Sequence, residues 1–514
     1  MSVNDVGRRF PTLVNGRSVE GFRGIGGFIP KGRHHGAPIK TCRDFSSQGD
    51  KTVESLVVAL RNAGLRDGMR ISTHHHFRNG DLVAEQLFQA AEQLGVRDLV
   101  WFPSAVFPCH ESLLRHIHSG LIHHIEGSLN GPVGEFASAG KMPGLAVLRS
   151  HGSRYRAIQD GDALIDIAVI AAPSCDAFGN MTGAQGPAAC GGLGFATADA
   201  QFADHVIAIT DHLVPFPCAP WQIPGNYVDQ VVVTDRIGDP TQIVSGTTRL
   251  TRSPERLLIA KKVADFVGKT GVLHDGWSFQ AGAGGISLAF AVYIREIMRE
   301  RGLKARFIRG GSTEVLVEML EEGLTEFILD GQTFDLEGVR SLRENPNHLM
   351  TSPFTSYNYH SKGNIASMIS CALLGATEVD LNFNANVVSH SDGRMLHGIG
   401  GWQDALFSEC TILALPAFRN RVPVVRESLT TFCGPGELID VVVTERGTAV
   451  NPRRQDLIQA ATEAGVPLTT LQAIKQEVEA FCGGPPEPAS LTGRPVGVVT
   501  WVDGTIIDSL YEIP

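Results

Sequence analysis

The sequence predicts an α/β protein made of two homologous α/β domains packed face to face, with a ligand site between them. Three observations carry this. Helix-patterned segments alternate with short apolar runs along most of the chain, the signature of a helix-covered sheet. The same order of segments returns in the second half at similar spacing. Glycine-rich turns stand between strand and helix patterns, where α/β folds place their ligands. At 514 residues the chain is also too long for one ordinary core.

Residues 1–50 are rich in Gly, Arg and Pro with weak periodicity, and are expected to form an arm or a loosely packed cap. The first domain is expected over 51–250. TVESLVVALRNAGL from Thr52 is an amphipathic helix with Val53, Leu56, Val57, Leu60 and Leu65 on one side. Gly68–Thr73 is a short strand, HHHFRNGD a polar loop, LVAEQLFQAAEQLG a helix and DLVWFPS a strand. The second domain, 251–514, repeats the order. SPERLLIAKKVADFVGKTGVL is a helix, Gly276–Phe279 a strand, SLAFAVYIREIMRERG a helix and KARFIRGGS a strand. Each copy carries a later acidic strand, IDIAVIAAP with Asp166 and EVDLNFNANV with Asp380. Gly68 to Asp166 spans 98 positions and Gly276 to Asp380 spans 104. The boundary is expected between Thr241 and Pro254. VPFPCAPWQIPGN is a loop inside the first domain, and VGVVTWVDGTIIDSL a C-terminal hairpin of the second, turning at Asp503-Gly504.

A formal net charge of −10 argues against non-specific nucleic-acid binding, though a local arginine pocket can still receive an anion. No run of 18 apolar residues and no N-terminal apolar core appear, so a cytoplasmic protein without a membrane span is expected. The nine cysteines include no C-x-x-C pair, which suggests neither a zinc knuckle nor a dithiol site.

The chemistry is expected at a few short motifs. FQAGAGGISL, with Gly282, Gly284 and Gly285, is a strand entering a glycine turn and then a helix. It lacks the Gly-Lys-Ser/Thr of a P-loop, and Ser287 replaces the third glycine of a dinucleotide fingerprint. Such a turn lets backbone N–H groups approach an anion, or is simply a tight connection. RMLHGIGGWQDA, with Gly398, Gly400 and Gly401, is a second turn of this kind. His74 and His76 could share a metal ion by strand alternation, but nothing nearby completes a site, so no metal is expected. Arg78 can pair bidentately with a carboxylate and Asp81 can orient it; a solvated loop with an internal ion pair is the plain alternative. SHGSR places His151 and Arg154 beside a flexible glycine, His151 being a candidate acid or base.

These residues resemble the alpha subunits of bacterial citrate lyase. HHHFRNGD, SHGSR, APSCDAFGNMTG, FQAGAGGISLA, NPNH with SYNYHSKGN, SDGRMLHGIGGWQDA and TERGTAVNP carry the likeness from about Lys51 to Asp508. That family is similar to CoA transferases, whose two α/β halves match the inferred duplication. The resemblance implies a citrate–acyl-carrier transferase. Citrate and an acetyl-carrier give acetate and citryl-carrier, which a beta (lyase) subunit then splits. No cofactor is expected to be covalently bound. The thioester is that of CoA or of the CoA-like group on a gamma (acyl-carrier) subunit, within an oligomer. Arg78 and Arg154 are the expected citrate clamp with His151 as donor, and the six glycines the expected oxyanion cradle. One departure matters. Many CoA transferases place a glutamate nucleophile in Ser-Glu-Asn-Gly; here IRGGSTE puts glycine in its place and Glu314 four positions later. The resemblance therefore implies direct attack by substrate. The alternative is a CoA transferase for another acid that uses Glu314.

Overall fold

The computed structural model describes residues 1–28, 36–38, 49–244, 249–282 and 284–514. In the first half the strands are β1 (Thr52–Val53), β2 (Arg70–Thr73), β3 (Leu99–Pro103), β4 (Ile122–Gly127), β5 (Ala146–Leu148), β6 (Ile167–Ala171), β7 (His205–Thr210) and β8 (Gln230–Val233). In the second they are β9 (Ser278–Ala281), β10 (Ala305–Ser312), β11 (Thr325–Thr333), β12 (His348–Met350), β13 (Cys371–Leu374), β14 (Cys410–Ala414), β15 (Val441–Val443) and β16 (Thr448–Val450). A C-terminal pair, β17 (Pro495–Thr500) and β18 (Ile506–Tyr511), completes the strands of the two main sheets; shorter strands form small separate sheets.

The two main sheets share one topology. The first runs β5-β4-β3-β2-β6-β7-β8 and the second β12-β11-β10-β9-β13-β14-β15, every neighbouring pair parallel. Strand β6, IAVIA, is buried along its whole length, as a parallel strand covered on both faces must be. A small side sheet recurs as well: Ser174–Asp176 and Glu378–Asp380 each pair antiparallel with one short strand and parallel with another. In both, an aspartate accepts backbone N–H bonds and the Nδ2 of an asparagine four residues on, Asn180 for Asp176 and Asn384 for Asp380. The counterpart of Asp380 is thus Asp176, not Asp166. Asp166 instead precedes β6 and accepts from the Arg70 N–H at 2.7 Å.

Helices form where caps and apolar spacing coincide. Helix α1 (Leu56–Asn62) starts at Ser55, whose side chain accepts from Val58 N–H. It is shorter than expected because Thr52–Val53 pairs with β8 instead. Helix α2 is Val83–Gln93 and α3 is His151–Asp160. Helix α4 (Pro254–Lys269) begins with the Ser253 cap and a proline at its first turn. Helix α5 (Gly285–Arg301) ends at Gly302, whose φ of +64° suits glycine.

Both ends of the chain depart from expectation. The C-terminal hairpin is not part of the second half: β17 lies parallel to β5 and extends the first sheet, with β18 outside it. Residues 1–28 are held against that hairpin. Asn4 Nδ2 donates to the carbonyls of Ile506 and Ile507 at 3.0 and 2.8 Å, and Phe10, Val14, Val147, Val498 and Ile506 share an apolar cluster. The rest of the expected arm falls largely outside the described residues.

Candidate functional site

In each sheet the strand order reverses between the first strand and the one entered after the crossover, β2 and β6 in one half, β9 and β13 in the other. Ligands of open α/β sheets sit at such reversals, beyond the strands' carboxyl ends. The chain leaving β2 is HHHFRNGD and the chain leaving β9 is the AGAGG turn. Two motifs far apart in sequence therefore hold equivalent positions, and both border one cavity of about 840 Å³.

Gly282, Gly284, Gly285, Gly398, Gly400 and Gly401 all line this cavity, as do Arg78 and His151. Among the described lining residues the charged side chains are Arg78, Arg256, Arg309 and Arg419, with no aspartate or glutamate. Ala283 lies outside the described residues. Gly284 caps α5, which receives no side-chain cap, so first-turn N–H groups at Gly285, Ile286 and Ser287 border the cavity. Gly282 differs: its N–H is taken by Leu373 O at 3.1 Å, leaving it no amide for a ligand. The Gly398–Gly401 turn is a seam between halves. A Cβ at Gly398 would overlap Ser128, and one at Gly401 would press on the Tyr357 ring at 2.9 Å.

The HHHFRNGD loop is polar but not solvated. His74, His75, His76, Arg78 and Asp81 are all buried, His75 and Arg78 in part by Gln332 and Phe334 of the second half. His75 stacks on His151 at 5.4 Å, and Gln332 of β11 donates to His75 O at 2.9 Å. Arg78 lies between Phe107 and Phe334, its guanidinium 5.0 and 4.9 Å from the ring centroids. Its φ is +53°, an uncommon conformation for arginine. Burial pulls its pKa down to about 10, which leaves it a cation at neutral pH. Burial, then Arg154 and Arg309, push His151 down to about 3, so its ring is neutral.

Two expected substrate residues are placed elsewhere. Asp81 does not orient Arg78. Its carboxylate accepts from Val83 and Ala84 N–H at 3.3 and 3.1 Å, starting α2, and from His110 Nε2 at 3.0 Å. Burial lowers His110, but Asp81 and Cys109 together outweigh it and lift the ring to about 9. Arg154 is 1% exposed and does not line the cavity. Its two terminal nitrogens meet Asp199 at 2.7 and 2.6 Å, and one also reaches Phe102 O. A guanidinium so paired has no fork left for citrate. Glu314 is exposed at the start of a helix, its N–H donating to Asp335 at 2.7 Å, and it too is absent from the lining.

Sequence reading missed Arg309. It is 1% exposed, stacks on Tyr357 at 3.7 Å, and donates to Gln280 Oε1 at 3.1 Å and to Ser356 Oγ. Tyr357 OH donates to the same Gln280 oxygen at 2.7 Å. The available signal was an arginine next to the glycines near the end of β10, three positions on from the exposed Arg306; a charge is costly to bury unless it is used.

Fold and site together define a duplicated α/β protein of CoA-transferase type, with an arginine-lined cavity where the halves meet. The alpha subunit of an Acinetobacter baumannii malonate decarboxylase shares the fold, with a TM-score of 0.62 at 15% identity over 85% of this chain and 89% of that one. The sequence model of the citrate lyase alpha subunit (CitF) matches residues 49–513, and the chain belongs to that family, the citrate–acyl-carrier transferase subunits of citrate lyase. It is 40% identical to the citrate lyase alpha chain of Klebsiella pneumoniae over 90% of this chain and 91% of the relative, and 37% identical to that of Escherichia coli K12 over 93% and 94%. A Streptococcus mutans structure described as a citrate lyase alpha subunit in complex with citrate superimposes with a TM-score of 0.94. Its identity is 37%, over 99% of this chain and all of that one. Among the described residues no helix is long and apolar enough to cross a membrane.

Proposed function

We propose that this chain works in the cytoplasm with a lyase subunit and an acyl-carrier subunit, exchanging acetyl for citryl on the carrier thiol. A citrate carboxylate attacks the acetyl thioester carbonyl. The tetrahedral oxyanion collapses, the C–S bond breaks, and a thiolate and a mixed anhydride result. The thiolate then attacks the citryl carbonyl of that anhydride, and acetate leaves. The nucleophile is already ionised, so the protein needs no general base. It has to bring anions together and stabilise a developing negative oxygen.

The observation that carries this reading is the lining: four arginines, two glycine turns and no carboxylate among the described residues. With no carboxylate among the described lining residues, none of them can form an acyl-glutamyl intermediate, which supports the incoming acid itself as the nucleophile. Arg78 and Arg309, on opposite halves, are the assigned partners of the citrate carboxylates, and His151 a neutral donor between them. The first-turn amides of α5 and the Gly398–Gly401 turn are assigned to the thioester oxyanion. The deciding experiment is acyl exchange by the purified chain between acetyl-CoA and a panel of tricarboxylates and dicarboxylates. No exchange with any acid would overturn the reading.

Two expectations follow from the assignments. Arg309→Met is expected to raise the citrate KM about 100-fold, the loss of one or two charge-assisted hydrogen bonds, with the acetyl-CoA KM little changed. Equal rises in both constants would remove Arg309 from the citrate site. Glu314→Gln is expected to leave turnover within about twofold of the parent, as an exposed residue outside the cavity. Borohydride reduction after incubation with acetyl-CoA is expected to yield no modified glutamate. A trapped Glu314 adduct would restore the covalent route.

A further inference from the structure

Helix α3 starts on the cavity edge and carries His151 in its first turn. Ser150 caps it, its Oγ accepting from Ser153 N–H at 3.0 Å. One cap cannot satisfy every first-turn amide. The Gly152 N–H is satisfied from the other half of the molecule: Asp404 Oδ2 accepts it at 3.0 Å, while Asp404 Oδ1 accepts the Ser150 hydroxyl at 2.7 Å. Asp404 is 2% exposed and stands three residues after Gly401, in the short helical turn Trp402–Ala405 that the glycine turn opens. His151 N–H donates to Gly400 O at 2.7 Å, and Ser150 and Gly400 form a parallel bridge. Position 152 is glycine because the Asp404 carboxylate and the Tyr357 carbonyl already occupy the space of a Cβ.

We infer that Asp404 is a positioning residue for acyl transfer: by gripping Ser150 and Gly152 it fixes His151 and the Gly400–Gly401 turn relative to each other across the seam. The inference rests on the transferase reading and adds a device to it. Asp404 is absent from the lining and touches no substrate; it acts through the two elements that do. Burial pushes its carboxyl up to about 7, against the pull of the Gly152 and Ser150 bonds. The grip survives protonation. One oxygen still accepts from Gly152, and the Ser150 hydroxyl can accept as readily as donate. For the same reason an amide can replace the acid.

The test measures three quantities on the full chain: turnover with acetyl-CoA and citrate, citrate affinity by calorimetry, and amide hydrogen exchange at His151–Ser153 and Gly400–Gly401. In D404A, turnover is expected to fall about 30-fold, as for a modest misplacement of reacting groups. Citrate affinity is expected to stay within about threefold. Exchange at those amides is expected to rise about tenfold. D404N is expected to stay near the parent in all three. Three outcomes overturn the inference: parental turnover in D404A, citrate affinity falling as far as turnover, or D404N as slow as D404A with protection intact. If D404A does not fold, S150A, which removes one of the two bonds and also the Ser153 cap, is read by turnover, citrate affinity and exchange at Gly152 and Gly400–Gly401, with Ser153 left out. A parent chain without exchange activity would sink the transferase reading instead, while amide protection still reports the grip.

Discussion

Gly284→Val is expected to lower citrate-dependent acyl exchange about 10²- to 10³-fold in a protein that folds normally, the usual loss when an oxyanion donor is removed or blocked. The second half of that statement comes from the structure. Gly284 has an ordinary φ of −81° and ψ of 151°, and a Cβ there meets nothing within 4 Å. A valine Cβ therefore costs little in backbone strain and meets no described neighbour within 4 Å beyond the adjoining residues. Its methyls enter the open space beside the first-turn amides of α5, where the reading places the thioester oxygen. Among the glycines of the two turns this makes Gly284 the cleanest probe. The same substitution at Gly398 or Gly401 would drive Ser128 or Tyr357 out of place and confuse folding with chemistry. The measurement is turnover at saturating acetyl-CoA, paired with a melting curve. Parental turnover in a protein melting like the parent would remove the α5 amides from the mechanism.

Much of the architecture was legible because it was written twice. The recurrence of segments around Gly68 and Gly276 matches two sheets with one strand order. The glycine turns were legible as loops ahead of helices, and both border the cavity. The misreadings share a physical cause: local sequence does not report what the other half brings. HHHFRNGD reads as a solvated loop by composition, yet Gln332 and Phe334 cover it. The C-terminal hairpin follows the second half in sequence, but β5 offers an open parallel edge and the N-terminal residues pack beneath. Asp166 was matched to Asp380 by spacing, whereas a shared hydrogen-bond pattern identifies Asp176. Arg309 is adjacent to the IRGG glycines and escaped notice because its partners, Gln280, Ser356 and Tyr357, come from other elements.

Arg154 puts the contrast between fold and site to the hardest test. It was expected to clamp citrate, and Arg154→Ala would then act on citrate KM. Its placement predicts a different effect. The guanidinium closes a buried pair with Asp199, which is fully buried and also faces the His74 ring at 3.1 Å. Removing one member of such a pair leaves an uncompensated charge, so Arg154→Ala is expected to destabilise the chain by about 3–5 kcal/mol at neutral pH. The pH dependence gives the sign. In the parent, burial raises the Asp199 carboxyl, but Arg154 and then His74 outweigh it and hold it well below its usual range. That stabilisation is present above the unfolded carboxylate value and is lost only as pH falls through the depressed folded one. Without Arg154 the balance reverses: burial dominates, the folded carboxyl rises above its unfolded value, and the variant gains stability as pH falls from neutral toward 4. The deficit measured by urea unfolding is therefore expected to narrow on acidification, while citrate KM in the folded protein stays within about threefold of the parent. A variant that unfolds like the parent but loses citrate affinity would return Arg154 to the clamp and break the division drawn here between the arginines that hold the fold and those that face the cavity.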